Sequence, residues 1–203
     1  PGPLTVVLPK KETISELVTA GLETVGVRVP AHPIAREILR SAAVPVAAPS
    51  ANQSGRPSGT TWKAVAEDLD GRIDAIFTAD SSSIGIESTV VDCSAGTPLV
   101  LRPGAITLEQ LQKIVPQTRE LQADEKSEMT ASGRQVNSPG ILHPHYQPRA
   151  EVMMVDLPQK ELTGEQSKDA AYCGLDVFDG VESFPCIKVF ASIDDYALSL
   201  IHI

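Results

Sequence analysis

Apolar and polar positions change rhythm repeatedly along the first 115 residues. Leu4–Leu8 (LTVVL) is an apolar run of strand length with β-branched residues at its centre. TISELVTAG then switches to helical spacing, with Thr13 and Glu16 in capping-box register and Gly21 as a stop. Thr24–Val29 (TVGVRV) predicts a second strand. HPIAREILRSA puts Pro33 near the first helical position and Ile34, Ile38 and Leu39 on one face, which predicts a helix. Val44–Ala48 (VPVAA) predicts a third short strand, and TWKAVAEDLDG a helix capped by Thr60 or Thr61 and closed by Gly71. IDAIFTA, ESTVVDCS and PLVLRPG predict three further strands, the last two separated by AGT, which suits a hairpin-like turn. A Thr107/Gln110 capping box opens a helix over TLEQLQKIV. Such alternation predicts an α/β layer fold with a sheet that is at least partly parallel.

The rhythm stops after Val115. Residues 116–150 are polar and proline-dotted and read as a linker, although SPGILHPHYQP is too rich in ring side chains to be only a spacer. New strands are predicted at Glu151–Asp156 (EVMMVD) and Cys186–Ser192 (CIKVFAS), and IDDYA suits a helix start. The organisation expected is therefore a main domain over 1–115, a linker over 116–150 and a second domain over 151–203. About 50 residues bury a poor core alone, so the second domain reads as cut short. PGPLTVVLP reads as the middle of a domain, which predicts an N-terminal truncation, and Leu198–Ile203 reads as non-native sequence.

Composition narrows the class. With 42% hydrophobic and 21% charged residues in 203, the chain is globular rather than disordered. It holds no apolar run of about 18 residues, which argues against a membrane span. No charged-then-apolar leader opens it, so a cytoplasmic location is expected. Cys93, Cys173 and Cys186 form no C-x-x-C pair, which disfavours zinc and a disulfide framework and fits free thiols in a reducing compartment. The net charge of −9 argues against a general nucleic-acid binder. That charge is uneven. Residues 1–60 carry six basic groups against four acidic ones, a net of +2, which leaves −11 on the remainder. A local anion site within an acidic protein follows naturally.

The loop after Val44–Ala48 carries the densest polar chemistry. In Pro49-Ser50-Ala51-Asn52, Ser50 offers a hydroxyl and Asn52 both a donor and an acceptor, while Gly55 and Gly59 allow close backbone approach. In open α/β sheets ligands bind beyond strand carboxyl ends, and the next helix start favours an anion. Thr60 is placed to cap that helix or to touch a phosphate. Taken alone, the loop is better explained as a polar turn with a helix cap. Three further polar groups stand at strand ends. Arg28 lies in a valine-rich strand, where it must either pair with a structural carboxylate or face a ligand carboxylate or phosphate. Ser88 and Thr89 open one strand, and Arg102 ends another. Together with the Ser50–Asn52 loop they suit a site for a nucleotide and a small acid. Neither a phosphate-binding P-loop motif nor a dinucleotide fingerprint is present, and no nucleophile–base pair is apparent. His32, before Pro33, fits a helix-cap or surface position. The residues alone thus lead to an anion-binding α/β enzyme without covalent catalysis.

PGPLTVVL, VGVRVPAHPIA, VPVAAPSANQSGRPS, IGIESTVVD and LRPGAIT, in this order, resemble the YrdC-like threonylcarbamoyl-AMP synthases, and SPGILHPHYQPRA resembles the linker of their long, two-domain form. The resemblance implies a twisted mixed sheet flanked by helices, then a linker and the start of a small Rossmann-like domain. It implies a nucleotidyltransferase that makes threonylcarbamoyl-AMP and pyrophosphate from L-threonine, bicarbonate and ATP, with Mg2+. The product would serve the downstream machinery that modifies tRNA. It also implies roles: Arg28, Ser50 and Ser88 toward threonine; Asn52, Arg102, Thr60 and Thr24 toward ATP; and Tyr146 as part of a lid closing over the cavity. Ser50 and Asn52 would lie between the two substrates. Two departures stand out. The family's Lys-x-Arg motif lies upstream of PGPLT and occurs nowhere in this chain, so the isolated chain is expected to have little activity. His143 stands where the linker commonly has tyrosine. Two other classes compete with the synthase reading: a YrdC-like carbamoyltransferase domain, and a non-catalytic RNA-binding module. The long-form linker argues against the first. The acidic charge and the lack of aromatic platforms argue against the second.

Overall fold

The structure, a computed structural model, describes residues 1–122, 125, 171–174 and 186–192. The chain divides into two compact units, one of residues 1–56 and 86–145, the other of residues 57–85 and 146–203.

The first unit is organised by a five-stranded mixed sheet: β1 (Leu4–Pro9), β2 (Thr24–Arg28), β3 (Thr89–Asp92), β4 (Leu99–Arg102) and β5 (Arg119–Glu120), in the order β2-β1-β3-β4-β5. β1 pairs antiparallel with β2 and parallel with β3; β3 pairs antiparallel with β4, and β4 parallel with β5. Val7, Val90, Leu101 and Leu121 form the core cluster, with Leu99 packed against it. Each comes from a different part of the chain, so their burial ties β1, β3, β4 and the segment after β5 together.

Thr89 is completely buried, and its hydroxyl is satisfied twice: it donates to the Ile106 carbonyl at 2.6 Å and accepts from the Ile106 amide at 3.0 Å. This bond pair fixes the approach to α4 (Leu108–Gln112), whose predicted Thr107–Gln110 capping box is present in both halves. In α1 (Glu16–Thr19) the cap differs from expectation. Ser15, not Thr13, accepts from the Leu17 amide, and the helix closes through left-handed Ala20 and then Gly21 at φ 77°. α2 (Pro33–Ala42) starts as predicted, with Pro33 at its first position and His32 as a cap that makes no side-chain bond.

Two predicted strands do not form. Val44–Ala48 joins no sheet, and Val44 is 62% exposed. Pro45 removes a ladder donor from the middle of the run. Ile73–Ala79 is likewise irregular, with Phe77 66% exposed and Asp74 poorly suited to a pleated surface. Conversely, β5 lies where a linker is predicted. The Arg119 amide donates to Pro98 and the Leu121 amide to Val100, so β4 recruits it through backbone bonds.

In the second unit, α3 (Trp62–Leu69) is capped by Thr61, whose hydroxyl accepts from the Ala64 amide at 3.2 Å. β6 (Ala171–Gly174) pairs parallel with β7 (Cys186–Val189). β7 lies in the predicted strand at 186–192, whereas β6 has no counterpart in the sequence pattern. The strand predicted at Glu151–Asp156, the helix start at IDDYA and Tyr146 lie outside the described residues. Among the described residues no helix is long and apolar enough to cross a membrane, and Cys93 and Cys173 are free thiols.

Candidate functional site

Strand register gathers the strand-end groups. Thr5 faces Arg28, Leu4 faces Thr89, and Val90 faces Arg102. The carboxyl ends of β2 and β4 therefore meet the amino ends of β1 and β3 at one end of the sheet. The rule that placed a ligand beyond strand carboxyl ends holds here for the two strands that deliver arginines. The parallel pair β1 and β3 presents its amino ends instead.

At this end a hydrogen-bonded chain runs across four strands. Arg28 Nε donates to Thr5 Oγ1 at 2.8 Å, and Thr5 Oγ1 lies 3.2 Å from Ser88 Oγ. Arg102 Nη2 donates to Ser88 Oγ at 3.0 Å and to the Ser88 carbonyl at 2.8 Å, and Nε reaches the same carbonyl at 3.1 Å. Arg102 Nη2 also lies 3.3 Å from a Glu87 carboxylate oxygen. Ser88 is only 5% exposed, so its polar atoms need these partners. Arg102 thus spends one face of its fork inside the protein. Arg28 spends only Nε.

Two cations beside one carboxylate leave net positive charge. Partial burial and then the Arg102 guanidinium lower the pKa of Arg28 from its ordinary value, while Glu87 opposes them. An added anion would relieve that repulsion. By contrast, the cavity of about 320 Å3 beside α4, lined by residues including Pro103, Thr107, Glu109 and Glu120, has no lysine or arginine in its wall.

Gly104 locks the cluster in place. A Cβ there would lie 2.3 Å from the Glu87 carbonyl oxygen, 2.5 Å from the Thr89 amide and 2.6 Å from the Ser88 carbonyl carbon. The turn after β4 therefore lies directly on the backbone that carries Ser88.

The loop residues are placed differently. Ser50 is exposed and makes no hydrogen bond to a described residue. Asn52 turns its amide nitrogen inward, donating to the Gln53 carbonyl at 2.9 Å and the Arg56 carbonyl at 2.8 Å. The Arg56 amide returns to the Gln53 carbonyl, with Gly55 at φ 86°. A side chain on Gly55 would meet nothing, so this glycine serves backbone conformation rather than close approach. Gly59 does permit close approach: a Cβ there would lie 2.8 Å from that of Ala64. Thr60, in the second unit, is buried, and its carbonyl accepts from the Ser82 amide. Thr24 begins β2, at the opposite end from Arg28 and about 13 Å along the strand. The structure therefore brings together Arg28, Ser88 and Arg102, and adds Thr5 and Glu87, which the sequence pattern left unmarked. Only the register opposite Arg28 distinguishes Thr5 from any strand threonine.

Family comparisons fit this architecture. Residues 1–104 match the Sua5_yciO_yrdC family model, described as telomere recombination. The chain belongs to the Sua5/YciO/YrdC family. Residues 106–183 of this Sua5-type chain match a second model, described as the C-terminal domain of threonylcarbamoyl-AMP synthase. Over 165 residues it is 42% identical to the threonylcarbamoyl-AMP synthase of Pyrococcus abyssi (strain GE5 / Orsay), covering 80% of this chain and 46% of that protein. Over 157 residues it is 43% identical to the synthase of Bacillus subtilis (strain 168), covering 77% and 44%. The chain spans less than half the length of these two relatives. A crystal structure of P. abyssi Sua5 complexed with L-threonine superposes with a TM-score of 0.80 at 35% identity, covering 100% of this chain and 60% of that one.

Proposed function

We propose that the protein carrying this chain is an L-threonylcarbamoyladenylate synthase. The observation that supports it most is the Arg28–Thr5–Ser88–Arg102 chain, a positively charged, hydroxyl-bearing sheet end, in a relative of a protein crystallised with L-threonine. The threonine amine and bicarbonate condense to a carbamate with loss of water. A carbamate oxygen attacks the α-phosphorus of ATP, the new P–O bond forms, and the bond to the β-phosphate breaks as pyrophosphate leaves with the electron pair. No protein nucleophile is required. The chain's task is to place two anionic substrates together and balance their charge.

Arg28 and Ser88 bind the threonine carboxylate, a planar acceptor suited to a guanidinium fork. Arg102 contributes positive charge toward the nucleotide. Ser50 and Asn52 lie between the substrates, and Thr24 is a subsidiary nucleotide contact. Among the described residues no acidic or His/Cys cluster is suited to a metal, and Glu87 already pairs with Arg102. Mg2+ arriving with ATP would supply positive charge to balance the leaving pyrophosphate. Threonylcarbamoyl-AMP then passes to the enzymes that modify tRNA.

The test is pyrophosphate release by the natural protein. Turnover should require ATP, L-threonine and bicarbonate together. Release without threonine, or from carbamoyl phosphate instead of bicarbonate, would overturn the reading. Ser50→Ala combined with Asn52→Ala should abolish this turnover. It should lower unfolding free energy by only about 1–2 kcal/mol, because the lost Asn52 bonds are solvent-accessible. Chemical denaturation beside the turnover assay separates the two effects, and a double variant that fails to fold would make the loop structural.

A further inference from the structure

Two hydroxyls meet between the two arginines, and their protons can be counted. Arginine only donates, so Arg28 Nε–H must donate its hydrogen bond to Thr5 Oγ1, and Arg102 Nη2–H must donate one to Ser88 Oγ. One hydroxyl proton then bridges Thr5 and Ser88 across 3.2 Å, in either direction. Whichever direction it takes, the second hydroxyl proton of the pair has no acceptor among the described residues. The pair is left with one donor to offer, flanked by the terminal nitrogens of Arg28, which make no hydrogen bond to a described residue. That is a donor set for a carboxylate.

The rotamer of Thr5 is set by its neighbours. Register places Arg28 directly opposite Thr5 and Gly26 diagonally on the same face. The Thr5 methyl occupies the space over Gly26, 3.3 Å from where a Cβ would stand. A β-branched side chain has few χ1 choices, and the one that seats its methyl over Gly26 also keeps its hydroxyl between Arg28 and Ser88.

We propose that Thr5 is a positioning residue for L-threonine recognition: its hydroxyl holds Arg28 by Nε and Ser88 by Oγ, so that the Arg28 terminal nitrogens and one hydroxyl proton are presented together to the substrate carboxylate. The proposal rests on reading this sheet end as the L-threonine site.

The experiment compares Thr5→Val, which keeps the branched shape but removes the hydroxyl, with Thr5→Ser, which keeps the hydroxyl. Both are made in the natural protein, with L-threonine and ATP affinities measured separately by calorimetry. Thr5→Val should weaken L-threonine binding about tenfold and ATP binding less than about twofold, and Thr5→Ser should return threonine affinity to within about threefold of wild type. In an Arg28→Ala background Thr5→Val should add almost nothing, since it acts through Arg28. If Thr5→Val does not fold, Gly26→Ala presses on the same methyl and should give the same threonine-selective loss. Unchanged threonine affinity, or equal losses for both ligands, would overturn the positioning role while the synthase reading stands. A wild-type protein that binds ATP but no L-threonine would overturn that reading, and this proposal with it.

Discussion

Gly104→Ala is expected to destabilise the protein by about 3 kcal/mol or more and to remove threonine-dependent turnover. The methyl group would have to occupy space held by three backbone atoms of Glu87, Ser88 and Thr89, the nearest at 2.3 Å. Backbone cannot rotate aside as a long side chain can. Relief requires the Pro103–Gly104 turn to lift from the start of β3, which carries Ser88 away from Arg102 and strains the Thr89–Ile106 bonds. Denaturant titration of Gly104→Ala beside Gly96→Ala checks this. An added Cβ at Gly96 would meet nothing within 4 Å, so that variant should stay within about 0.5 kcal/mol of wild type. Equal midpoints for the two variants would show that the turn does not rest on β3 as described.

Arg28→Ala should weaken L-threonine binding by about 100-fold while changing ATP binding by less than about fivefold, the difference expected when a charged, hydrogen-bonding partner of one ligand is lost. The fold should tolerate it, because Arg28 lies at the exposed end of an edge strand and only Nε is engaged internally. Arg28→Lys should recover part of the affinity through charge, but not all, because an ammonium group lacks the fork that holds Thr5 and a carboxylate at once. Calorimetry with each substrate, and the KM for each, provide the measurement. Equal losses for threonine and ATP would move Arg28 to the shared charge of the site rather than to the amino acid.

The two arginines of the cluster mark what could be read from the linear chain. Arg28 was legible because a cation amid strand valines is costly unless something outside the strand balances it, and Arg102 because it ends a strand directly before a turn. The β3–β4 turn and the Thr107–Gln110 cap were legible because local spacing alone specifies them. Thr5 was not, since threonine is an ordinary strand residue and its partners lie 23 and 83 positions away. Glu87 was passed over as the opening residue of a strand. β5 escaped notice because Arg119 and Glu120 carry no apolar alternation; its contribution to the core comes one residue later, from Leu121. Val44–Ala48 and Ile73–Ala79 misled in the opposite direction. An apolar run becomes a strand only where a neighbouring strand completes its ladder. Val44–Ala48 is therefore not a strand that delivers Ser50 at its end, and the chain from Val44 to Ala51 is exposed.

The span of 83 residues between Thr5 and Ser88 has a consequence for how the molecule comes together. β1–β2 and β3–β4 are each local hairpin-like pairings, whereas the parallel seam between β1 and β3 closes a long loop before it is rewarded by contacts. The proposed threonine surface lies across that seam. Neither pairing alone carries it, and it exists only after the two have met, so ligand binding reports completed assembly rather than partial structure. A small acid bound between Arg28 and Ser88 would bridge the two sides of that seam, so saturating it should raise the domain's resistance to unfolding.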